Sequence, residues 1–196
     1  MVTLLDGEAP TRRLIARFAL GLLASGAVTL AGCQAVEPPV TTSPSDESEG
    51  GGRAIVAALV DFAVAPGAET FEAVDLAGEV WLGLADRLVA LRPAAELVNA
   101  GAWLVDPGAA GFRERAGPFS ALDLLAAGHE IVVSTDAHAN CFGEQVPPPG
   151  QLADLGRISI TPVRDSVGLC MNWWSVDLYV TNAAEIAAVT LDLGDP

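Results

Sequence analysis

Apolar side chains recur at helical spacing in the stretch "AIVAALVDFAV", residues 54–64. Ile55, Leu59 and Phe62 are three or four positions apart, so they fall on one face of a helix. The pattern stops at Pro66-Gly67, a pair that ends helices. The spacing therefore predicts a first helix with one face on the core.

Two shorter helices are predicted from their end signals. "PAAELVNAG" begins at Pro93, whose fixed φ suits the first helical turn, and ends at Gly101. In "FSALDLLAAG", Ser120 can cap the helix, Asp123 stands where the acid of a capping box would, and Gly128 can close the last turn.

Alternating apolar and polar residues predict strands, most clearly near the end of the chain. The runs "WWSVDLYV" and "AAVTLDLG" flank a turn at residues 182–185 and predict a hairpin with one buried face. "HEIVVST" and "GRISITPV" predict two more strands, joined by a proline-rich loop. "EVWLGLADRLVAL" fits two strands that turn near Asp86 or a helix with leucines on one face, and we favour the strands.

Loops rather than helices join the successive strands at this end of the chain. A mostly antiparallel sheet is therefore expected, with the C-terminal hairpin as part of it. The sequence predicts an α+β fold in which two or three helices pack on that sheet.

The first 33 residues carry a different pattern. Three arginines between residues 12 and 17 precede an uncharged, mostly apolar run over residues 18–30, which leads into "LAGC" ending at Cys33. The arginines stay on the cytoplasmic side, the apolar run enters the bilayer, and small residues before the cysteine suit a peptidase groove. The run is shorter than the roughly 20 residues of a transmembrane helix. The segment resembles the signal peptide and lipobox of bacterial lipoproteins.

That resemblance implies cleavage before Cys33, a diacylglyceryl group on its sulfur, and often a further acyl chain such as palmitate on the new amine. Two or three chains anchor a protein to the membrane without spanning it. The protein is then expected on the extracytoplasmic face of the cell membrane. "TRRLI" at residues 11–15 also looks like a twin-arginine export signal. An ordinary signal peptide with an incidental cysteine, or a short uncleaved anchor, stay open as alternatives.

Three segments follow from these patterns. Residues 1–32 are predicted to be the signal peptide. Residues 33–52, the lipidated cysteine and "QAVEPPVTTSPSDESEGGG", hold almost nothing to bury and predict a disordered tether. Residues 53–196 have the length of a single α+β domain with one core.

Charge limits the partners of the protein. The chain has 25 acidic and 10 basic residues; residues 1–32 hold two of the acids and three of the bases, so the processed form has 23 against 7, a net charge of −16. Nucleic acid and anionic headgroups are repelled by such a surface, and we expect neither to bind it. The membrane is expected as a partner only through the lipid anchor.

The basic residues are all arginine, and alanine is abundant, which indicates a GC-rich genome such as that of an actinobacterium. The end of the chain, "CMNWWSVDLYVTNAAEIAAVTLDLGDP", resembles uncharacterised actinobacterial lipoproteins. The similarity extends loosely back to about Val80. It implies no activity.

Motifs for catalysis are sparse. The sequence lacks a Gly-rich phosphate loop, a Gly-x-Ser-x-Gly elbow and a His-Glu-x-x-His pair, and it holds two histidines. Asp136 and His138 are two positions apart, so on an extended segment they share a face and suggest an acid-base pair or part of a zinc site. We favour a solvated strand end, and from that we expect His138→Ala to be nearly neutral. No cofactor, metal or catalytic residue is predicted.

The adjacent tryptophans of the hairpin point to opposite faces if they lie on a strand. Trp173, Asp177 and Tyr179 then share one face, and this aromatic and acidic patch is the candidate for a ligand-binding surface. Packing of the tryptophans in the core or under a loop is the favoured alternative.

Two cysteines remain once Cys33 is acylated. Cys141 and Cys170 are even in number, lie beside strands and, after export, meet no cytosolic reductant, so we predict a disulfide between them. A loop of this length gives about 3 to 4 kcal/mol of stabilisation, and the Cα atoms of a disulfide lie about 4.4–6.8 Å apart. The bond would also remove the thiol that a Cys-His mechanism requires.

Three functions remain open. The favoured one is a non-enzymatic interaction module that contacts a protein of the cell envelope. A lipoprotein that binds a small molecule or glycan is the second, and a hydrolase that uses Asp136 and His138 is the third.

Overall fold

A six-stranded sheet forms the centre of the part of the chain that the structure describes. The structure is a computed structural model and describes residues 44–111, 117–135, 138, 140–163 and 170–194, which belong to one compact unit. The helices are α1 (Pro44–Val64), α2 (Ala68–Phe71) and α3 (Ala121–Ala126), with 3₁₀-helices at Ala94–Val98, Ala100–Trp103, Gly150–Leu152 and Cys170–Asn172. The strands are β1 (Leu76–Leu84), β2 (Arg87–Pro93), β3 (Leu104–Val105), β4 (Phe119–Ser120), β5 (Ile131–Ser134), β6 (Gly156–Pro162), β7 (Trp174–Val180) and β8 (Ile186–Leu193).

The strand order is β2-β1-β8-β7-β6-β5, while β3 and β4 form a small separate pair. Strands β1 and β8 run parallel, and the other neighbours in the large sheet run antiparallel. The predicted α+β fold with a mostly antiparallel sheet is therefore confirmed. The two predicted hairpins, β1–β2 and β7–β8, are also confirmed.

Helices α1 and α3 pack against each other and cover one face of the sheet. Leu59 and Phe62 of α1 and Leu122 of α3 share the main hydrophobic core with Val176 and Leu178 of β7. The Ser120 side chain caps α3 by accepting from the Leu122 N–H, as the sequence predicts.

The hairpin differs from its prediction in one respect. We expected one buried face, but six consecutive residues of β7, from Trp174 to Tyr179, are all buried. Trp174, Val176 and Leu178 face the helices, whereas Asp177 and Tyr179, on the opposite face, lie under the loop between β5 and β6. Since β7 is a central strand covered on both sides, one of its faces buries polar groups.

Two helix predictions need correction. Helix α1 begins at Pro44, inside the predicted tether, so residues 44–52 are helical; proline is favoured at the first helical position. The segment after Pro93 forms two 3₁₀-helices, because Asn99 is extended between them and its side chain accepts from the Gly101 N–H. Residues 33–43 lie outside the described part of the chain. Within that part, none of the helices is both long and apolar enough to cross a membrane.

Gly83 of β1 marks a close approach between strands. A Cβ atom at this position would lie 2.6 Å from the Arg87 carbonyl oxygen and 2.9 Å from Cγ2 of Thr190. The pairing of β1 with β2 shifts register between Leu82 and Gly83, which brings the Arg87 backbone towards this glycine.

We expect Gly83→Ala to lower the free energy of unfolding by about 1 to 3 kcal/mol, because the backbone oxygen has no room to move. Gly78→Ala on the same strand is the matched control, since a Cβ there meets nothing within 4 Å. Urea unfolding of the oxidised proteins measures both. Equal stabilities of the two variants would contradict the close packing described here.

Candidate functional site

A row of small and polar residues crosses the sheet on the face away from the helices. Ser134, Ser159, Asp177, Thr190 and Gly83 pair successively from β5 through β6, β7 and β8 to β1. The members Ser159, Asp177 and Thr190 are buried. Because a buried carboxylate is costly unless it is paired, the Asp177 side chain needs partners from outside its own strand.

Asp177 finds two such partners. His138 Nδ1 lies 2.8 Å from Asp177 Oδ2, and Arg157 Nη2 donates to the same oxygen at 2.5 Å. The Arg157 nitrogen is also 2.6 Å from His138 Nδ1. The His138 side chain is fully buried, and 5% of the Asp177 side chain is exposed. We call these three residues the charged cluster.

The charged cluster fastens the loop between β5 and β6 to the sheet. Arg157 Nη1 donates to the Val146 carbonyl oxygen at 2.6 Å, and the Val146 N–H donates to the His138 carbonyl oxygen at 2.9 Å. The His138 ring lies 5.6 Å from the Trp173 ring, and the Arg157 guanidinium lies 5.8 Å from the centre of the Tyr179 ring. The loop is therefore held by ionic, backbone and aromatic contacts.

A disulfide fastens the same loop a second time. Cys141 and Cys170 are bonded, with their Cα atoms 5.6 Å apart. The predicted disulfide and its predicted geometry are confirmed. Cys141 thus carries no free thiol for nucleophilic chemistry in this oxidised form.

The electrostatics of the cluster favour an ionised Asp177 beside a neutral Tyr179. Burial alone would raise the pKa of Asp177, but hydrogen bonds from His138 and Arg157 outweigh it and lower that pKa. Since the folded pKa is below the unfolded one, this carboxylate stabilises the fold above about pH 4, and the contribution is lost as the pH falls through the folded pKa. Burial, and then the charge of Asp177, raise the pKa of Tyr179.

Trp173, Asp177 and Tyr179 lie together, but they do not form an exposed surface, and their role in ligand binding stays a prediction. All three are buried, because the loop from β5 to β6 covers them. Alternation along a strand predicts which residues share a face of the sheet. It does not predict which other segment of the chain covers that face. The favoured alternative, packing under a loop, describes Trp173 correctly.

The predicted solvent exposure of His138 is wrong. Its side chain is buried and bonded to Asp177, which removes the reason for expecting His138→Ala to be neutral. Asp136, the other half of the hydrolase hypothesis, lies outside the described residues, as does Cys33. Arg157 was missed, although an arginine in a strand whose neighbour carries a central aspartate is a signal for such a pair.

The described residues include no group of three or more His, Cys, Asp or Glu side chains arranged to hold a metal ion. Comparison with protein-family models, curated proteins and solved structures finds no match.

Beyond the disulfide, the loop forms a tight turn over residues 140–144. Asn140 Oδ1 accepts from the N–H groups of Phe142 and Glu144 at 3.0 and 2.9 Å, and the Gly143 N–H donates to the Asn140 carbonyl oxygen. Gly143 has φ +82°, a conformation that glycine adopts without strain. At the tip, the Phe142 side chain is 76% exposed. We call this segment the Phe142 turn.

We expect Arg157→Met to lower the free energy of unfolding by about 3 kcal/mol, because it leaves Asp177 as a buried charge without its cation. Arg87→Met is the matched control: its ion pair with Asp86 spans 3.8 Å and is 62% exposed on the arginine side. Exposed pairs of this kind contribute about 0 to 1 kcal/mol. Urea unfolding measures both variants, and a similar small loss in each would show that the buried pair does not hold the loop.

Tyr179 is the one tyrosine of the chain, so tyrosinate absorbance reports its ionisation directly. We expect the pKa of Tyr179 in the folded protein to lie above the value of about 10 that it has in the unfolded chain. Because the folded pKa is raised, the contribution of neutral Tyr179 to stability is present below about pH 10 and is lost as the pH rises through the folded pKa. Tyr179→Phe, which cannot ionise, should lack that alkaline loss. A pKa of Tyr179 in the folded protein that is equal to or below that of the unfolded chain would contradict this expectation.

Proposed function

We propose that the protein is a lipoprotein anchored through Cys33 at the extracytoplasmic face of the cell membrane, where its folded domain binds a protein of the cell envelope. The apolar segment that ends in "LAGC" supports the anchor, and a disulfide is consistent with an oxidising compartment. The domain acts in this proposal as a non-enzymatic interaction module.

The Phe142 turn is the observation that carries this proposal. An aromatic side chain held in solvent is unfavourable for the isolated protein, and aromatic residues are common among the residues that dominate binding energies. The disulfide at Cys141 and the hydrogen bonds to Asn140 fix the turn before binding. Such preorganisation lowers the entropy cost of association.

The surroundings of Phe142 indicate the chemistry of the partner. A recess of about 90 Å³ beside it is lined by Trp173 and Leu193 together with both disulfide cysteines. The exposed Phe142 side chain therefore lies beside a shallow, partly apolar recess. With 25 acidic against 10 basic residues in the chain, a partner with an apolar pocket and a basic rim is favoured.

The charged cluster favours binding over catalysis. Asp177, His138 and Arg157 contact one another beneath the loop through Oδ2, Nδ1 and Nη2, so the side chains that acid-base chemistry would use also hold the loop that carries the Phe142 turn. A substrate could reach them only if the loop left the sheet.

The test uses a photoreactive phenylalanine analogue at position 142 in cells of the native host. Irradiation should produce one discrete crosslinked protein, and position 64 is the matched control because Val64 is 65% exposed at the far end of α1. Phe142→Ser should abolish copurification of the identified protein, whereas Val64→Ser should retain it.

The same cells test the anchor. The wild-type protein should partition into the detergent phase of a Triton X-114 extraction, and Cys33→Ser should accumulate unprocessed. Crosslinks equally strong at positions 64 and 142 would contradict the binding role, and normal cleavage and secretion of Cys33→Ser would contradict the lipoprotein assignment.

A further inference from the structure

Helix α1 contains three consecutive glycines, Gly50 to Gly52, ahead of the part that packs on the sheet. Inside a helix, only proline is less favourable than glycine, and each glycine lowers the helical population about fivefold relative to alanine. A helix usually contains glycine where the backbone approaches a neighbouring segment so closely that a side chain has no room.

Close packing accounts for one of the three glycines. A Cβ atom at Gly52 would lie 3.1 Å from Cγ2 of Thr135, so the helix backbone is close to the sheet at this point. At Gly50 and Gly51 a Cβ atom would meet nothing within 4 Å, and both residues are exposed. These two glycines therefore weaken the helix although packing does not require them.

The later part of α1 is held by the hydrophobic core. Among the described side chains of α1, Ile55 is the first that packs on this core, and Leu59 and Phe62 follow it. Residues 44–51 can therefore unwind while those side chains stay in place. Their return to the helix requires no new nucleus, because residues 52–64 already supply one.

Unwinding lengthens the chain between Cys33 and the folded domain. The segment over residues 44–51 spans about 12 Å as a helix and up to about 26 Å when it is extended. We propose that residues 44–51 are an extensible part of the membrane tether, which unwinds so that the Phe142 turn reaches a partner up to about 14 Å further away. This inference rests on the proposed anchor at Cys33 and on the proposed binding role of Phe142.

Hydrogen exchange of the full protein, purified in detergent from the native host, tests the unwinding. In a helix, the N–H groups of residues 48–55 donate to the carbonyl oxygens of residues 44–51. These N–H groups should exchange at least about tenfold faster than those of residues 59–64, whose acceptors lie in the packed part of α1. Equal protection of the two sets would overturn the inference.

The double variant Gly50→Ala/Gly51→Ala removes both weakening residues. Protection of the N–H groups of residues 48–55 should rise about 10- to 30-fold, as two substitutions of about fivefold each predict. Gly67→Ala is the matched control, because a Cβ atom there also meets nothing within 4 Å and the residue follows α1. Equal protection in the double variant and this control would show that the glycines do not govern the unwinding, and would overturn the inference.

Crosslinking in the native host tests the gain in reach. With the photoreactive analogue at position 142, the double variant should yield at least about threefold less crosslinked partner than Gly67→Ala, because a stiffer tether brings the two surfaces together less often. Eight residues of Gly-Ser repeat inserted before Pro44 should restore the yield in the double variant, because they replace the lost length.

An undiminished yield in the double variant would overturn the role in reach, and so would a yield that the insertion does not restore. Absence of any crosslink at position 142 in the wild-type protein would contradict the proposed function instead. Hydrogen exchange reports on α1 without a partner, so the failure of one proposal is distinguishable from the failure of the other.

Discussion

The carboxylate of Asp177, buried at the middle of a central strand, is the constraint around which one whole face of the sheet is organised. An ionised carboxylate in that position is tolerated only with a cation or hydrogen-bond donors close to it. β6 supplies Arg157 and the loop that precedes β6 supplies His138, so the sheet and the loop must meet at one point. The helical face, in contrast, is closed by ordinary hydrophobic packing.

The loop between β5 and β6 is held at its start by His138, next by Cys141 and further along by the Val146 carbonyl oxygen. A disulfide acts mainly by restricting the unfolded chain, whereas the ionic cluster acts in the folded state. The two therefore differ in their response to conditions: reductant removes the first, and acid removes the second. Between these two attachments, the side chain of Phe142 is exposed to solvent.

Local pattern was enough to predict the secondary structure of the sheet, because the strands alternate clearly and their turns carry recognisable residues. The disulfide was predicted from the expected export out of the reducing cytosol and from the even number of remaining cysteines, without any information on geometry. The parallel pairing of β1 with β8 was not predictable in this way, since neither strand contains a signal for a partner about a hundred residues away.

The candidate site was predictable only in part. Alternation placed Trp173, Asp177 and Tyr179 on one face, yet the cover over them comes from a loop whose sequence has no period. His138 was misjudged for the same reason: its burial depends on Asp177, which is 39 positions away. Arg157 contacts Asp177 on the neighbouring strand and Val146 in the loop. A single sequence does not show which charged side chains form such pairs.

The parallel pair β1–β8 also bears on how the chain folds. β1 can form its hairpin with β2 as soon as residues 76–93 are made, but its other edge stays unpaired until residues 186–193 are available. Contacts between distant parts of the chain close slowly, and an open strand edge favours pairing with other molecules in the meantime. A nascent chain that stops short of β8 therefore presents the inner edge of β1, with its apolar side chains, to the solvent, and its exposure to aggregation and to proteases lasts until the final strand is in place.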